Sequence, residues 1–204
     1  MSGARIVVLV SGSGSNLQAL LDASRRDELG GEVVAVVANR ADAHGLVRAA
    51  DAGVPAVLVA PHDGEDRADY DARLADVVAG FGPDLVVLAG WMRILTMSFL
   101  GWFPERVVNL HPALPGDLPG VRAIERAWDE HRRGDRDHSG VMVHLVPDEG
   151  VDDGPVLATE SIDLTEFTNL DDFAAHVHGV EHRLLVDAVS NLCRHPTSPT
   201  EVSP

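Results

Sequence analysis

The feature that most restricts the fold is an alternation, repeated along the first half of the chain, of a short apolar run and a longer amphipathic stretch. The apolar runs cover residues 5–10, 32–37, 55–59 and 85–89, each about as long as one strand. Between them, residues 16–25, 44–52 and 67–80 place apolar side chains at helical spacing with charges on the opposite face. Strands that are apolar on both faces and joined by crossover helices form a mostly parallel sheet with helices on both sides. The expected class is therefore α/β.

The second half is less regular. Residues 106–111 read as a further strand, the Pro- and Gly-rich stretch 112–120 as a loop, and residues 123–133 as a helix. Residues 141–146 and 156–162 form a strand pair around an acidic turn at 147–154, and a closing helix spans about 170–192. With 204 residues and 45% hydrophobic content the chain fits one domain, expected over 1–194. The Pro-, Ser- and Thr-rich end, 195–204, reads as a disordered tail.

Charge narrows the partners. A net charge of -16 opposes the counterion release that drives nucleic-acid binding, so neither nucleic acid nor an acidic membrane is expected as a partner. All 16 basic residues are arginine, which excludes Schiff-base chemistry and a Walker-type lysine. The single cysteine, Cys193, has no intramolecular disulfide partner, and the N-terminal apolar run lacks a cleavage pattern. A cytoplasmic protein is expected.

Three motifs fall where such a sheet carries ligands, and a fourth cluster lies on the last helix. Ser11-Gly12-Ser13-Gly14-Ser15-Asn16 joins the first strand to the first helix, where backbone N–H groups and the helix dipole favour a phosphate. A dinucleotide site would need a third glycine at Leu17 and an acid ending the second strand, which instead reads Ala38-Asn39-Arg40. The same glycines would serve a plain tight turn. Asn109-Leu110-His111-Pro112 ends the fifth strand, with Asn109 and His111 on one side by alternation. An amide beside an imidazole can stabilise an oxyanion, or the histidine can simply be satisfied by backbone. The acidic turn offers Asp148, Glu149, Asp152 and Asp153; a carboxylate near His111 is expected to raise the imidazole pKa, although a solvated hairpin reads the same way. His178 and His182 share a face of the last helix, but without the His-Glu-X-X-His order no metal is expected.

Together, the Ser11–Asn16 turn, Met92-Arg93-Ile94-Leu95, Asn109-Leu110-His111-Pro112-Ala113-Leu114 and Val151-Asp152-Asp153-Gly154-Pro155 resemble the phosphoribosylglycinamide formyltransferase family, in its order and over nearly the whole domain. The resemblance implies a Rossmann-like formyltransferase fold with an antiparallel C-terminal strand pair. It implies transfer of a formyl group from 10-formyltetrahydrofolate, as co-substrate, to the amine of glycinamide ribonucleotide in purine biosynthesis. On it, Asn109, His111 and Asp152 are catalytic, with His144 in support. Gly14, Ser15, Asn16 and Glu181 hold the phosphorylated substrate, while Arg67, Met92, Arg93, Ile94, Leu95 and Asp148 hold the folate. The resemblance needs no metal and is compatible with a homodimer.

This chain departs from the pattern in two loops. Pro147 looks like an added residue after His144, Asp117 stands where a basic residue is frequent, and Arg122 stands where histidine is common. A sibling formyltransferase with another acceptor, a formyl-folate hydrolase, and a binding domain without turnover share the same core motifs and remain as alternatives.

Overall fold

The computed structural model describes residues 3–195. Seven strands form one sheet in the order β3-β2-β1-β4-β5-β6-β7. They are β1 (Ala4–Val10), β2 (Gly31–Ala38), β3 (Ala56–Leu58), β4 (Leu85–Leu88), β5 (Val107–His111), β6 (His138–Leu145) and β7 (Val156–Asp163). The pairings β3–β2, β2–β1, β1–β4 and β4–β5 are parallel. Those of β5 with β6 and β6 with β7 are antiparallel.

The central strand shows why the apolar runs dictate this architecture. Every residue from Ile6 to Val10 is fully buried. Ile6, Val8 and Val10 face a core shared with helices α1 (Ser15–Arg25), α2 (His44–Asp51), α5 (Ala123–Arg132) and α6 (Leu170–Arg194). Val7 and Leu9 face a second core built on α3 (Arg67–Ala79) and the short α4 (Met97–Leu100). Burial of each such side chain contributes about 1.5–3 kcal/mol, so β1 ties both layers together.

The expected strands and major helices are present, with ends shifted by up to three residues. The sequence reading missed α4, whose four residues are too few to show a period. It also missed a 3₁₀ turn over Leu164–Glu166, which opens on Asp163. Strand β6 begins at His138, ahead of the expected position, because its pairing with β7 continues through Ser139 and Gly140. The tail expected over 195–204 lies, from residue 196 onward, outside the described residues.

Two consequences matter for function. The order of the sheet reverses at β1, so the crevice between the carboxyl ends of β1 and β4 is the place where open α/β sheets take ligands. Antiparallel β6 sets His144 directly opposite Asn109 of β5.

Candidate active site

The Ser11–Asn16 turn is held by its own backbone and by α2. Gly14, at φ 70°, is the residue before α1, a left-handed conformation that favours glycine. A Cβ there would come within 2.9 Å of the Gly45 Cα, so close approach to α2 also requires glycine. The Gly45 N–H donates to the Gly12 carbonyl at 3.1 Å, and Arg48 Nε donates to the Ser13 carbonyl at 2.8 Å. The first N–H groups of a helix have no partner within it, and the Arg48 guanidinium touches the turn at Ser13.

Across the crevice, the Ser11 hydroxyl accepts from the Met92 N–H at 2.9 Å and ties the end of β1 to the segment after β4. Met92 is 67% and Ile94 43% exposed, whereas Leu95 is buried. Met92 and Ile94 thus form an exposed apolar ledge beside the crevice. Arg93 does not project freely, since its guanidinium lies over the Tyr70 ring at 4.5 Å. Arg67 is engaged by Glu149 at 3.3 Å, and the other Glu149 oxygen accepts from the Met97 N–H at 3.1 Å. The family resemblance places Glu149, with Asp148, in the loop beside the folate; its link to α3 and α4 needs the fold. Asp148 accepts from the Gly150 N–H at 2.9 Å, shaping its own loop.

Asn109, His111, His144 and Asp152 form one connected cluster. Asn109 Nδ2 lies 3.1 Å from Asp152 Oδ1 and 3.1 Å from His144 Nε2. His144 Nδ1 lies 2.8 Å from the Leu145 carbonyl, which can only accept, so Nδ1 carries the proton and Nε2 accepts from Asn109. Both amide protons of Asn109 are thereby engaged. Asp152 Oδ2 accepts from the Gly120 N–H at 2.8 Å and faces His111 Nδ1 at 3.3 Å. His111 Nε2 donates to the Leu118 carbonyl at 3.1 Å.

The charge balance at His111 corrects the sequence expectation. Burial pushes the imidazole below the ordinary histidine range, and the attraction of Asp152, although it opposes this, is the smaller influence. For Asp152, burial alone would raise the carboxyl. Interaction with His144 in its protonated form, the Gly120 N–H and the attraction of a protonated His111 outweigh it and hold the carboxyl below the usual range. With Nε2 donating to Leu118, a proton taken up by the cluster has its natural seat between His111 Nδ1 and Asp152 Oδ2.

Leu118 and Gly120, which sequence reading did not select, complete the cluster through backbone. Leu118 has φ 44° and Arg122 φ 59°, flanking Gly120 at φ 81°. Arg136 anchors this loop by donating to both oxygens of Asp117 while also reaching Glu130. Asp117, noted above as a departure, is therefore a structural partner of Arg136. On α6, Glu181 is buried and its carboxylate lies 2.7 Å from His178 Nδ1. Hydrogen bonding to Glu181 raises the His178 pKa. Among the described residues, no group of three His, Cys, Asp or Glu is disposed to hold a metal ion. No helix among them is long and apolar enough to cross a membrane.

Comparison with known proteins agrees with this geometry. The family model described as Formyl transferase matches residues 4–189. The chain is 42% identical to phosphoribosylglycinamide formyltransferase of Schizosaccharomyces pombe, over 93% of this chain and 97% of that protein. It is 40% identical to the Escherichia coli protein of the same name, over 88% of this chain and 82% of that one. The solved structure of glycinamide ribonucleotide transformylase 1 from Symbiobacterium toebii superposes with a TM-score of 0.89 at 36% identity, covering 98% of this chain and 92% of that one.

Proposed function

Because this chain belongs to the formyl transferase family, we propose that it transfers the formyl group of 10-formyltetrahydrofolate to the amine of glycinamide ribonucleotide. The products are formylglycinamide ribonucleotide and tetrahydrofolate, a step of purine biosynthesis. The observation that carries the reading is the convergence of Asn109, His111 and Asp152 at the carboxyl end of β5. It supports acyl transfer because such chemistry needs hydrogen-bond donors at a developing oxyanion and a seat for one proton.

The acceptor phosphate sits on the N–H groups and side chains of Gly14, Ser15 and Asn16, with the 178–181 segment of α6, including Glu181, beside the rest of the acceptor. The folate lies along Met92, Arg93, Ile94 and Leu95, bordered by Arg67 and by Asp148 of the acidic loop. The neutral acceptor amine attacks the formyl carbon, and the oxygen of the tetrahedral intermediate replaces the Leu118 carbonyl as the partner of His111 Nε2. Asn109 turns one of its two engaged N–H groups to the same oxygen. As the carbon–nitrogen bond to folate breaks, the attacking nitrogen loses a proton and the folate nitrogen gains one. The His111–Asp152 pair serves as the way station, and His144 keeps the Asn109 amide oriented. The single cysteine, Cys193, supports a cytoplasmic setting.

The test is direct. Purified protein with both substrates should release tetrahydrofolate in step with formylglycinamide ribonucleotide. Folate deformylation that ignores the acceptor would instead mark a hydrolase.

A further inference from the structure

Buried polar atoms without partners gather around residues 91–96. Trp91 Nε1, Arg93 Nε and Thr96 Oγ1 are three of them, and a fourth, Asp71 Oδ1, faces the segment from α3. Asp71 is fully buried, at 0% exposure. Its other oxygen accepts from the Thr96 N–H at 2.6 Å. The neighbouring Tyr70 is fixed by donating its hydroxyl to the Val59 carbonyl at 2.9 Å, and its ring carries the Arg93 guanidinium.

A carboxyl group with one hydrogen bond is a poor core residue; a leucine would fill the space without a desolvation cost. What the carboxyl does that leucine cannot is hold a backbone N–H. Thr96 closes the segment and opens α4, so this one bond fixes where residues 91–95 end. Ser11 holds the same segment at Met92. The segment is thus pinned at both ends by side-chain oxygens, and the apolar ledge of Met92 and Ile94 lies between the pins.

We infer that Asp71 is a positioning residue for co-substrate binding: its grip on the Thr96 N–H holds the 91–95 backbone in the shape that the folate reads. This rests on the reading of residues 91–95 as the folate-binding segment. Burial pushes the Asp71 carboxyl above the usual range, so an amide, which keeps a carbonyl acceptor of the same size, is a close substitute.

The experiment compares Asp71→Leu, Asp71→Asn and Ile94→Asp with the parent protein. It reads tetrahydrofolate binding by calorimetry, KM for each substrate, and thermal melting. Asp71→Leu should weaken tetrahydrofolate binding at least about tenfold, the scale of a lost bond to a charged or strongly polar group. Its KM for glycinamide ribonucleotide should stay within about twofold, and Asp71→Asn should remain within about threefold of the parent in every measurement. A folded Asp71→Leu that binds tetrahydrofolate normally, or that loses both substrates equally, overturns the inference, as does an Asp71→Asn as weak as Asp71→Leu. If Asp71→Leu does not fold, Thr96→Pro removes the same hydrogen bond from the donor side and must show the same selective loss. Normal binding by both Asp71→Leu and Ile94→Asp would sink the folate assignment of the segment as well. Weak binding by Ile94→Asp alone would sink only the role of Asp71.

Discussion

Asp152→Asn separates the chemical from the structural role of the cluster. The carboxylate offers two accepting oxygens, one to Asn109 Nδ2 and one to the Gly120 N–H, the latter also facing His111 Nδ1, which can donate to it only when protonated. A carboxamide offers one. If its oxygen faced Gly120 and His111, its NH₂ would meet the Asn109 NH₂, two donors in contact. The favoured rotamer therefore keeps oxygen toward Asn109 and donates from nitrogen to an unprotonated His111 Nδ1. The loss is the bond to Gly120, which is exposed and can turn to water. That costs about 1 kcal/mol, or a fall in Tm of about 2–4 °C for a domain of this size.

The chemistry suffers far more. In that rotamer His111 is locked neutral, because a protonated Nδ1 would face an NH₂ group, and the seat for the mobile proton is gone. Loss of a group of this kind lowers kcat about a hundredfold or more. The pH profile should change too. In the parent, burial lowers the His111 pKa and Asp152 partly offsets it, so the variant's histidine limb should flatten or move to lower pH. The stability difference has its own sign. The Asp152 carboxyl is held below its unfolded value, so it stabilises the fold above about pH 4 and loses that contribution as pH falls through the lower folded value. Parent and variant should therefore converge in strong acid. Steady-state kinetics from pH 5 to 9 with parallel melts would refute the reasoning by showing an unchanged pH–rate profile, or a Tm fall above about 10 °C.

Other substitutions test the neighbouring assignments. His111→Ala should lower kcat by more than about a hundredfold, and a loss under tenfold in single-turnover assays would remove it from the chemistry. Ser15→Ala and Asn16→Ala should raise KM for glycinamide ribonucleotide and leave KM for the folate unchanged; an unchanged acceptor KM would move the phosphate elsewhere. Arg136→Ala should cost about 1–3 kcal/mol in urea denaturation, since it leaves Asp117 and Glu130 without their partly buried partner. It should also lower activity by loosening the loop that carries Leu118 and Gly120, and normal activity in a destabilised variant would argue against that link.

Much of this was legible in the sequence because the signals were local. Ile6–Val10 is apolar on both faces, and only a central parallel strand needs that. Gly14 lies between a strand and a helix, where a left-handed residue and close packing coincide. Asn109 and His111 share a face by the two-residue period of a strand, and the antiparallel return of β6 brought His144 opposite. What failed was the sign of the His111 shift. A sequence shows that a carboxylate exists, but not how much water is removed from the ring beside it, and here burial outweighs the charge.

The loop partners were hidden for a different reason: they act through backbone. Leu118 contributes a carbonyl and Gly120 an N–H, groups that every residue but proline carries, so nothing in their side chains marks them. Their placement depends on positive φ at Leu118 and Arg122, and on an anchor from Arg136, a residue beyond α5. The result is a centre in which the donors proposed to meet the oxyanion are already engaged: Asn109 by His144 and Asp152, and His111 Nε2 by Leu118. Buried donors left unengaged would cost about 1–3 kcal/mol each, so the resting cluster satisfies itself. An exchange of partners is cheaper than making new bonds from nothing. On the proposed mechanism, the formyl oxygen, a weak acceptor in the ground state and a strong one as charge develops, would displace the Leu118 carbonyl only near the transition state. Selectivity for the transition state then follows from competition with the protein's own acceptors.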